Sequence, residues 1–218
     1  MIKRLIFDVD GTLITGVNFR EYVKKALEKI DIYTEENVDK FLKAMKTYET
    51  KFDNYNKNDY LNHIGKGINQ KLPDDFLKIF FEELKVAIPP LNEELIQAIK
   101  ELSEKYELAI LTNYFSESQL NRLNNMGIGK FFTEIHGEKL IKPNINAYLN
   151  ACGKNEPNEC VMIGDDLSLD IEFAKKAGIH TIFVNSKRIL AENLNVVIVQ
   201  SVIEINEKMI EEIERSEN

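Results

Sequence analysis

The sequence contains little cysteine and no long apolar segment. Cys152 and Cys160 are its only cysteines, too few for a disulfide framework, and they lack the paired spacing of a zinc site. No apolar run approaches the ~20 residues that a membrane-spanning helix needs, and the opening MIKRLIFDVDG reaches an acidic residue too early for a secretory signal. These features predict a cytoplasmic protein with buried or half-buried thiols and no membrane partner.

Basic residues are also in the minority. The 218 residues include 28 Lys and Arg against 36 Asp and Glu, which gives a formal net charge of -8. Such a balance opposes electrostatic attraction to phosphate backbones, so we expect no nucleic-acid partner. The hydrophobic content of 44% is sufficient for a packed core, and the length suits one medium domain or a core with an inserted lobe.

Five short runs rich in Ile, Leu and Val have the composition of strands that are buried on both faces. They are RLIF at 4–7, LAILTN at 108–113, CVMIGDD at 160–166, HTIFVN at 180–185 and VVIVQ at 196–200. Helical patterns alternate with them, and one begins at Ser116 and ends at Gly127. Its predicted apolar face carries Leu120, Leu123 and Met126. The alternation predicts an α/β fold, a Rossmann-like three-layer core with a mostly parallel sheet.

Residues 16 to about 90 interrupt this alternation. They offer no clear buried strand but contain amphipathic helical segments, which lie around 19–30, 35–50, 58–64 and 74–87. Two prolines in the run IPPL at 88–91 interrupt any helix and mark the end of this region. We therefore predict a catalytic core formed by residues 1–15 and 91–218, with an inserted all-helical domain at 16–90.

Polar residues stand at or just past the ends of the predicted strands. They are Asp8 with Asp10, Thr112 with Asn113, Lys142 before Pro143, and the later acids Asp165, Asp166 and Asp170. Because the carboxyl ends of parallel strands share one edge of a sheet, these side chains should surround a single crevice. Carboxylates hold a hard divalent cation, while lysine and neutral donors hold the anion that this cation also touches. Mg²⁺ and phosphate fit this set best.

Four segments, in the order DVDGT, LTN, KP and GDDLSLD, resemble the four motifs of the haloacid dehalogenase superfamily on its phosphatase side. The resemblance spans roughly residues 4 to 185. It implies a Rossmann-like core, a helical cap between the first and second motifs, and phosphoryl transfer through an aspartyl phosphate. The expected activity is that of a Mg²⁺-dependent phosphatase for a small phosphate monoester, such as a sugar phosphate or nucleotide, and we expect a monomer or homodimer.

The first motif supplies the reacting groups that this resemblance implies. Asp8 would be the nucleophile that takes the phosphoryl group, a role that a carboxylate can fill. Asp10 would be the general acid and then the general base. Residues i and i+2 of a strand face the same way, about 6 to 7 Å apart, which leaves room for a substrate between the two acids.

The resemblance also assigns the phosphate-binding residues. Thr112 and Asn113 would orient the transferring phosphoryl group through hydrogen bonds. Lys142 would act as a catalytic and phosphate-binding residue, because its charge neutralises both Asp8 and the phosphate. All three residues would therefore help to bind an anion.

The implied Mg²⁺ ligands come from both ends of the chain. Asp8 and Asp165 would contribute side chains and Asp10 its backbone carbonyl. Asp170 would either contact the metal's ligands without binding the metal or serve as an alternate ligand. Asp166 occupies a position where many relatives have a small polar residue, and its acidic side chain favours the first turn of the helix that follows.

Two alternative functions remain open. A phosphomutase of the same superfamily would use the same core motifs and differ in cap residues that return phosphate to the substrate. A receiver-like signalling domain also arranges acids, Thr and Lys around a phosphorylatable Asp, although it has no helical insert of this length after its first strand. A dehalogenase is disfavoured, because dehalogenases of this superfamily lack the second acid of the first motif, here Asp10.

Overall fold

The computed structural model describes residues 1–186 and 196–216. Within them, six strands form one sheet: β1 (Arg4–Phe7), β2 (Glu107–Leu111), β3 (Glu134–His136), β4 (Cys160–Gly164), β5 (His180–Val184) and β6 (Val197–Val199). Their order is β3-β2-β1-β4-β5-β6, and every neighbouring pair is parallel. The strand order reverses between β1 and β4, so the chain continues outward on either side of this pair. In open α/β sheets, ligands bind at the carboxyl ends of the strands at the point where the order reverses. The predicted fold class is confirmed.

The same described residues contain nine α-helices: α1 (Phe19–Glu28), α2 (Glu35–Tyr48), α3 (Lys57–Ile68), α4 (Phe76–Leu84), α5 (Glu93–Ser103), α6 (Ser116–Asn125), α7 (Ile145–Ala151), α8 (Phe173–Lys176) and α9 (Glu207–Ser216). A π-helical turn, Leu167–Glu172, leads directly into α8. None of these helices is both long and apolar enough to cross a membrane.

The central strand β1 is buried on both faces. Its Leu5 and Phe7 side chains pack in one apolar layer with Ile110 of β2 and Ile163 of β4. Its Ile6 side chain packs in the opposite layer, which also contains the two cysteines. Burial on both faces explains the continuous apolar run that predicted this strand. Both thiols are buried, as predicted.

Four helices, α1 to α4, lie between β1 and the following elements of the chain, in the region where the sequence predicts a helical insert. Asn18, Thr34 and Asn56 cap the first three helices with side-chain oxygens that accept backbone N–H groups. The insert has an apolar cluster of its own, and Phe115, from the loop after β2, joins that cluster. The ring of Phe115 lies 5.1 Å from that of Tyr55, so aromatic contacts attach the insert to the core.

One detail of the helical prediction is wrong. Leu120 is 40% exposed, so it does not belong to the buried face of α6. That face instead carries the polar residues Gln119 and Arg122, which are fully buried. Near the end of the chain, Ser201 and Glu204 form a capping box at a short 3-10 turn, Val202–Glu204, and α9 begins after it.

The short edge strand β3 was not predicted. It has only three residues, all of them exposed or half-buried, so it lacks the apolar run by which a buried strand is recognised. Its backbone pairs with β2 alone among the described strands.

Candidate active site

Residues from the carboxyl ends of β1, β2 and β4 meet in one pocket of about 470 Å³. Its core wall contains every residue that the sequence predicted for the site: Asp8, Asp10, Thr112, Asn113, Lys142, Asp165 and Asp170. Helix α2 and its neighbours in the insert form the facing wall, with Phe19, Leu42, Met45, Lys46, Glu49 and Tyr55. The expected convergence at one edge of the sheet is therefore what the fold produces.

Three of the acids form a compact group. Asp8, Asp165 and Asp170 each place a carboxylate oxygen so that the three atoms lie within 4.8 Å of one another. Asp8 and Asp170 are buried and Asp165 is half-buried. Hard divalent cations such as Mg²⁺ prefer oxygen ligands, carboxylates among them, so the type of donor fits the predicted metal.

Lys142 lies between two of these acids. Its Nζ donates to Asp8 Oδ1 at 2.8 Å and to Asp170 Oδ1 at 2.6 Å. All three groups are nearly inaccessible to solvent. Burial lowers the pKa of Lys142, but the carboxylates of Asp170 and Asp8 outweigh it and raise the pKa above its ordinary value. This pairing favours the charged form of Lys142.

The nucleophile candidate is held in a dry environment. Burial raises the pKa of Asp8 to about 8, with a further increase from Asp170 and an opposing effect from Lys142. Burial also raises the pKa of Asp170. A cation among these carboxylates would favour their ionised forms.

Two glycines leave room for the acids. A Cβ on Gly164, the last residue of β4, would lie 2.2 Å from Cγ of Asp170. A Cβ on Gly11 would lie 2.3 Å from Oδ1 of Asp165, and Gly11 also has a φ of 100°. Such approaches exclude any side chain unless the carboxylate moves, so both glycines set the positions of the acids.

Gly164→Ala is expected to weaken Mg²⁺ binding by roughly 10- to 100-fold, the range found when a group that orients a metal ligand is changed. The added methyl group must displace Asp170. The measurement is the rise in melting temperature with increasing Mg²⁺. Gly178→Ala is the control, because its Cβ meets Pro157 only at 3.6 Å, although its φ of 81° makes it lose stability. Wild-type Mg²⁺ dependence in Gly164→Ala would contradict the role of Asp170 at the metal.

Asp166 caps the turn that follows β4, as predicted. Its Oδ1 accepts the backbone N–H groups of Ser168 at 2.9 Å and Leu169 at 2.8 Å. Its own N–H donates to Asp170 Oδ2 at 3.0 Å. The backbone of Asp166 therefore helps to place Asp170. Its exposed side chain caps the turn and does not belong to the group of three acids.

The Asn113 side chain has structural partners in addition to its place at the pocket. Its Nδ2 donates to the backbone oxygen of Lys142 at 2.9 Å, and its Oδ1 accepts the N–H of Lys142 at 2.8 Å. Nδ2 also donates to Glu49 Oε2 of the insert at 3.0 Å. The phosphate contact expected of this amide stays a prediction, and its hydrogen bonds here fix the backbone that carries Lys142.

The Asp10 carboxylate turns toward helix α6. Its Oδ1 accepts from Arg122 Nη1 at 2.7 Å, and its Oδ2 accepts from Gln119 Nε2 at 2.8 Å. The predicted metal role of Asp10 therefore rests on its backbone carbonyl alone. Sequence analysis missed Gln119 and Arg122, because polar residues at helical spacing usually lie on a solvated face.

Comparisons with known proteins agree with this geometry. The family model described as haloacid dehalogenase-like hydrolase matches residues 2–178. A relative from Methanothermobacter thermautotrophicus named glyceraldehyde 3-phosphate phosphatase is 28% identical over 206 residues, which cover 88% of this chain and 89% of the relative.

Two solved structures share the fold. The HAD phosphatase from Thermococcus onnurineus has a TM-score of 0.66 at 21% identity, with 95% of this chain and 98% of that chain covered. The 2-haloacid dehalogenase from Pseudomonas syringae has a TM-score of 0.69 at 19% identity, with 100% of both chains covered. Two different chemistries thus occur on this fold, and the side chains of the site must distinguish them.

Proposed function

The chain belongs to the haloacid dehalogenase-like hydrolases, and we propose that it is a Mg²⁺-dependent phosphatase that hydrolyses a small phosphate monoester through an aspartyl phosphate on Asp8. The observation that carries the proposal is the meeting of Asp8, Asp165 and Asp170 within 4.8 Å, with the charged Lys142 bonded to two of them. Phosphoryl transfer depends almost entirely on positioning and on neutralisation of charge. This group provides both.

In the first step, a carboxylate oxygen of Asp8 attacks phosphorus and the bond from phosphorus to the substrate oxygen breaks. Asp10 gives its proton to that leaving oxygen. In the second step, water attacks the same phosphorus, Asp10 accepts a proton from the water, and the bond to Asp8 breaks to release phosphate. When bound at Asp8, Asp165 and Asp170, Mg²⁺ would neutralise negative charge on the phosphoryl oxygens.

Thr112 and Lys142 hold the phosphoryl group in this proposal. Gln119 Nε2 donates to Thr112 Oγ1 at 3.1 Å, so the hydroxyl hydrogen of Thr112 is available to a phosphoryl oxygen. Lys142 supplies a positive charge beside Asp8. Asn113 contributes by fixing the Lys142 backbone, and we assign it that positioning role.

The helical insert, residues 16–90, acts as the cap over this site and selects the substrate. Its wall of the pocket combines the apolar side chains of Leu42 and Met45 with the charged groups of Lys46 and Glu49. Glu49 already accepts hydrogen bonds from Asn113 and Tyr55, and a carboxylate retains capacity for a substrate hydroxyl. A hydroxylated, phosphorylated substrate suits such a wall.

The substrate class that we propose is a small sugar phosphate. The relative from Methanothermobacter thermautotrophicus is named for glyceraldehyde 3-phosphate, and that relative aligns over 88% of this chain. Its name makes a triose phosphate the first substrate to test, ahead of nucleotides.

The test is phosphate release from a panel of monoesters that includes glyceraldehyde 3-phosphate, larger sugar phosphates, nucleotides and 4-nitrophenyl phosphate. We expect repeated turnover with Mg²⁺, loss of activity with EDTA, and recovery when Mg²⁺ is restored. A receiver-like domain would take up about one phosphoryl group per chain without further release. Isomerised sugar phosphates without free phosphate would identify a phosphomutase, and no reaction with any monoester would contradict the proposal.

A further inference from the structure

Helix α6 presents two buried polar side chains to the proposed active site. Gln119 is 0% exposed and Arg122 is 1% exposed. Between them they bond both oxygens of Asp10, and Gln119 also bonds the Thr112 hydroxyl. Arg122 Nη1 further donates to Gln119 Oε1 at 2.9 Å, which fixes the direction in which the Gln119 amide points. Two groups with direct roles in the proposed reaction are therefore held by one pair of side chains.

Arg122 is itself anchored to both chain connections of the insert. Its Nε and Nη2 donate to the backbone oxygen of Ala87 at 3.1 and 2.9 Å, just beyond the end of α4. Its guanidinium carbon lies 5.1 Å from the ring centre of Phe19, the first residue of α1. A guanidinium can do this because its donors form a rigid planar fork and its face stacks on aromatic rings, which a lysine cannot reproduce.

We propose that Gln119 and Arg122 are positioning residues for the reaction, which hold the Asp10 carboxylate and the Thr112 hydroxyl in place. Through its contacts, Arg122 links Asp10 to Ala87 and Phe19, where the chain leaves and enters the insert. The inference rests on the proposed function, because positioning of Asp10 matters only if Asp10 transfers protons. It goes beyond that function in assigning a role to two residues outside the four motifs.

The leaving group reveals whether Asp10 is correctly placed. An alkyl alcohol needs a proton as it departs, whereas 4-nitrophenolate leaves readily without one, so only the alkyl ester depends strongly on the general acid. General distortion of the site slows both esters alike. The ratio of kcat/KM for the alkyl ester to kcat/KM for the aryl ester therefore separates a positioning role from a structural one, and the ratio is independent of the folded fraction of a sample.

The experiment compares Arg122→Met, Arg122→Lys and Gln119→Leu with the wild type, using 4-nitrophenyl phosphate and the most rapidly hydrolysed alkyl phosphate of the panel. We expect the alkyl-to-aryl ratio to fall by roughly 10- to 100-fold in Arg122→Met, part of the 10²–10⁴ that general acid catalysis supplies. The alkyl-to-aryl ratio should also fall by most of this amount in Arg122→Lys, because one ammonium group cannot donate to Asp10 and to the Ala87 carbonyl at the same time. In an Asp10→Asn background, Arg122→Met should lower the ratio no further.

The control is a second buried arginine that lies away from the site. Arg4 has a side chain only 3% exposed and pairs with Glu107 and Glu134, and it stands at the opposite end of β1 from Asp8. Arg4→Met should lose stability and keep the wild-type ratio.

The inference is overturned if the ratio in Arg122→Met and Gln119→Leu stays within about twofold of the wild type while both rates fall together. It is also overturned if Arg122→Lys equals the wild type, because Arg122 would then be a simple counter-charge. Failure of the wild type to hydrolyse any monoester would instead remove the proposed function itself, so the two failures are distinguishable.

Discussion

Asp8→Asn is expected to reduce phosphate release by at least about 10⁴-fold, because single replacement of a covalent nucleophile can remove most of an enzyme's acceleration. The amide keeps the shape of the side chain but cannot attack phosphorus. The substitution also removes one of the three carboxylates whose oxygens lie within 4.8 Å of one another. Folding should be retained, because a neutral amide costs less to bury than a carboxylate whose pKa burial already raises to about 8.

Two measurements complete this test. Steady-state phosphate release gives the loss of turnover, and rapid mixing with 4-nitrophenyl phosphate should give no burst of nitrophenolate. Asp166→Asn is the matched control, because this exposed aspartate caps a turn and asparagine caps equally well. That variant should retain wild-type rates. Substantial turnover in Asp8→Asn would place the nucleophile elsewhere.

Asp10→Asn is expected to separate the two steps of the reaction. The asparagine cannot donate a carboxylic proton to the leaving oxygen or take one from water, so turnover of alkyl esters should fall by about 10²- to 10⁴-fold. With 4-nitrophenyl phosphate the first step needs little acid help, whereas the second step still lacks its base. We therefore expect a burst of about one nitrophenolate per chain followed by slow release, with phosphate left on Asp8.

The comparison with Asp8→Asn makes the assignment specific. A burst in Asp10→Asn and none in Asp8→Asn would give the two acids different roles. Acid quenching and mass measurement of the intact chain should detect the bound phosphoryl group in Asp10→Asn alone. Equal loss on alkyl and aryl esters, without a burst, would contradict the assignment of Asp10 as acid and base.

Much of the fold could be predicted because the signals are local. Burial on both faces produces apolar runs such as RLIF at β1, and amphipathic spacing predicted the four helices of the insert. The polar residues of the motifs follow strands directly, so the rule that parallel strands end at one edge was enough to bring Asp8 and Asp165 together. The short strand β3 escaped because its residues carry no such apolar signal.

The hydrogen-bond partners of Asn113, Gln119 and Arg122 could not be predicted in the same way. A buried arginine on an amphipathic helix is stable only if its charge is paired, and its partner Asp10 lies 112 positions away in the chain. Local periodicity therefore favoured Leu120 for the buried face, which the structure leaves exposed. The amide of Asn113 likewise finds its partners on another loop and at Glu49, just beyond the end of α2.

The sequence by itself determined which polar groups the site contains, because motif residues and strand ends are encoded in short segments whose spacing can be read directly. Only the tertiary structure decided how the acids are arranged: Asp8, Asp165 and Asp170 form one group beside Lys142, while the Asp10 carboxylate turns to α6. The physical reason is that a buried charge requires a partner, and that partner is chosen by distances in space between residues far apart in the chain.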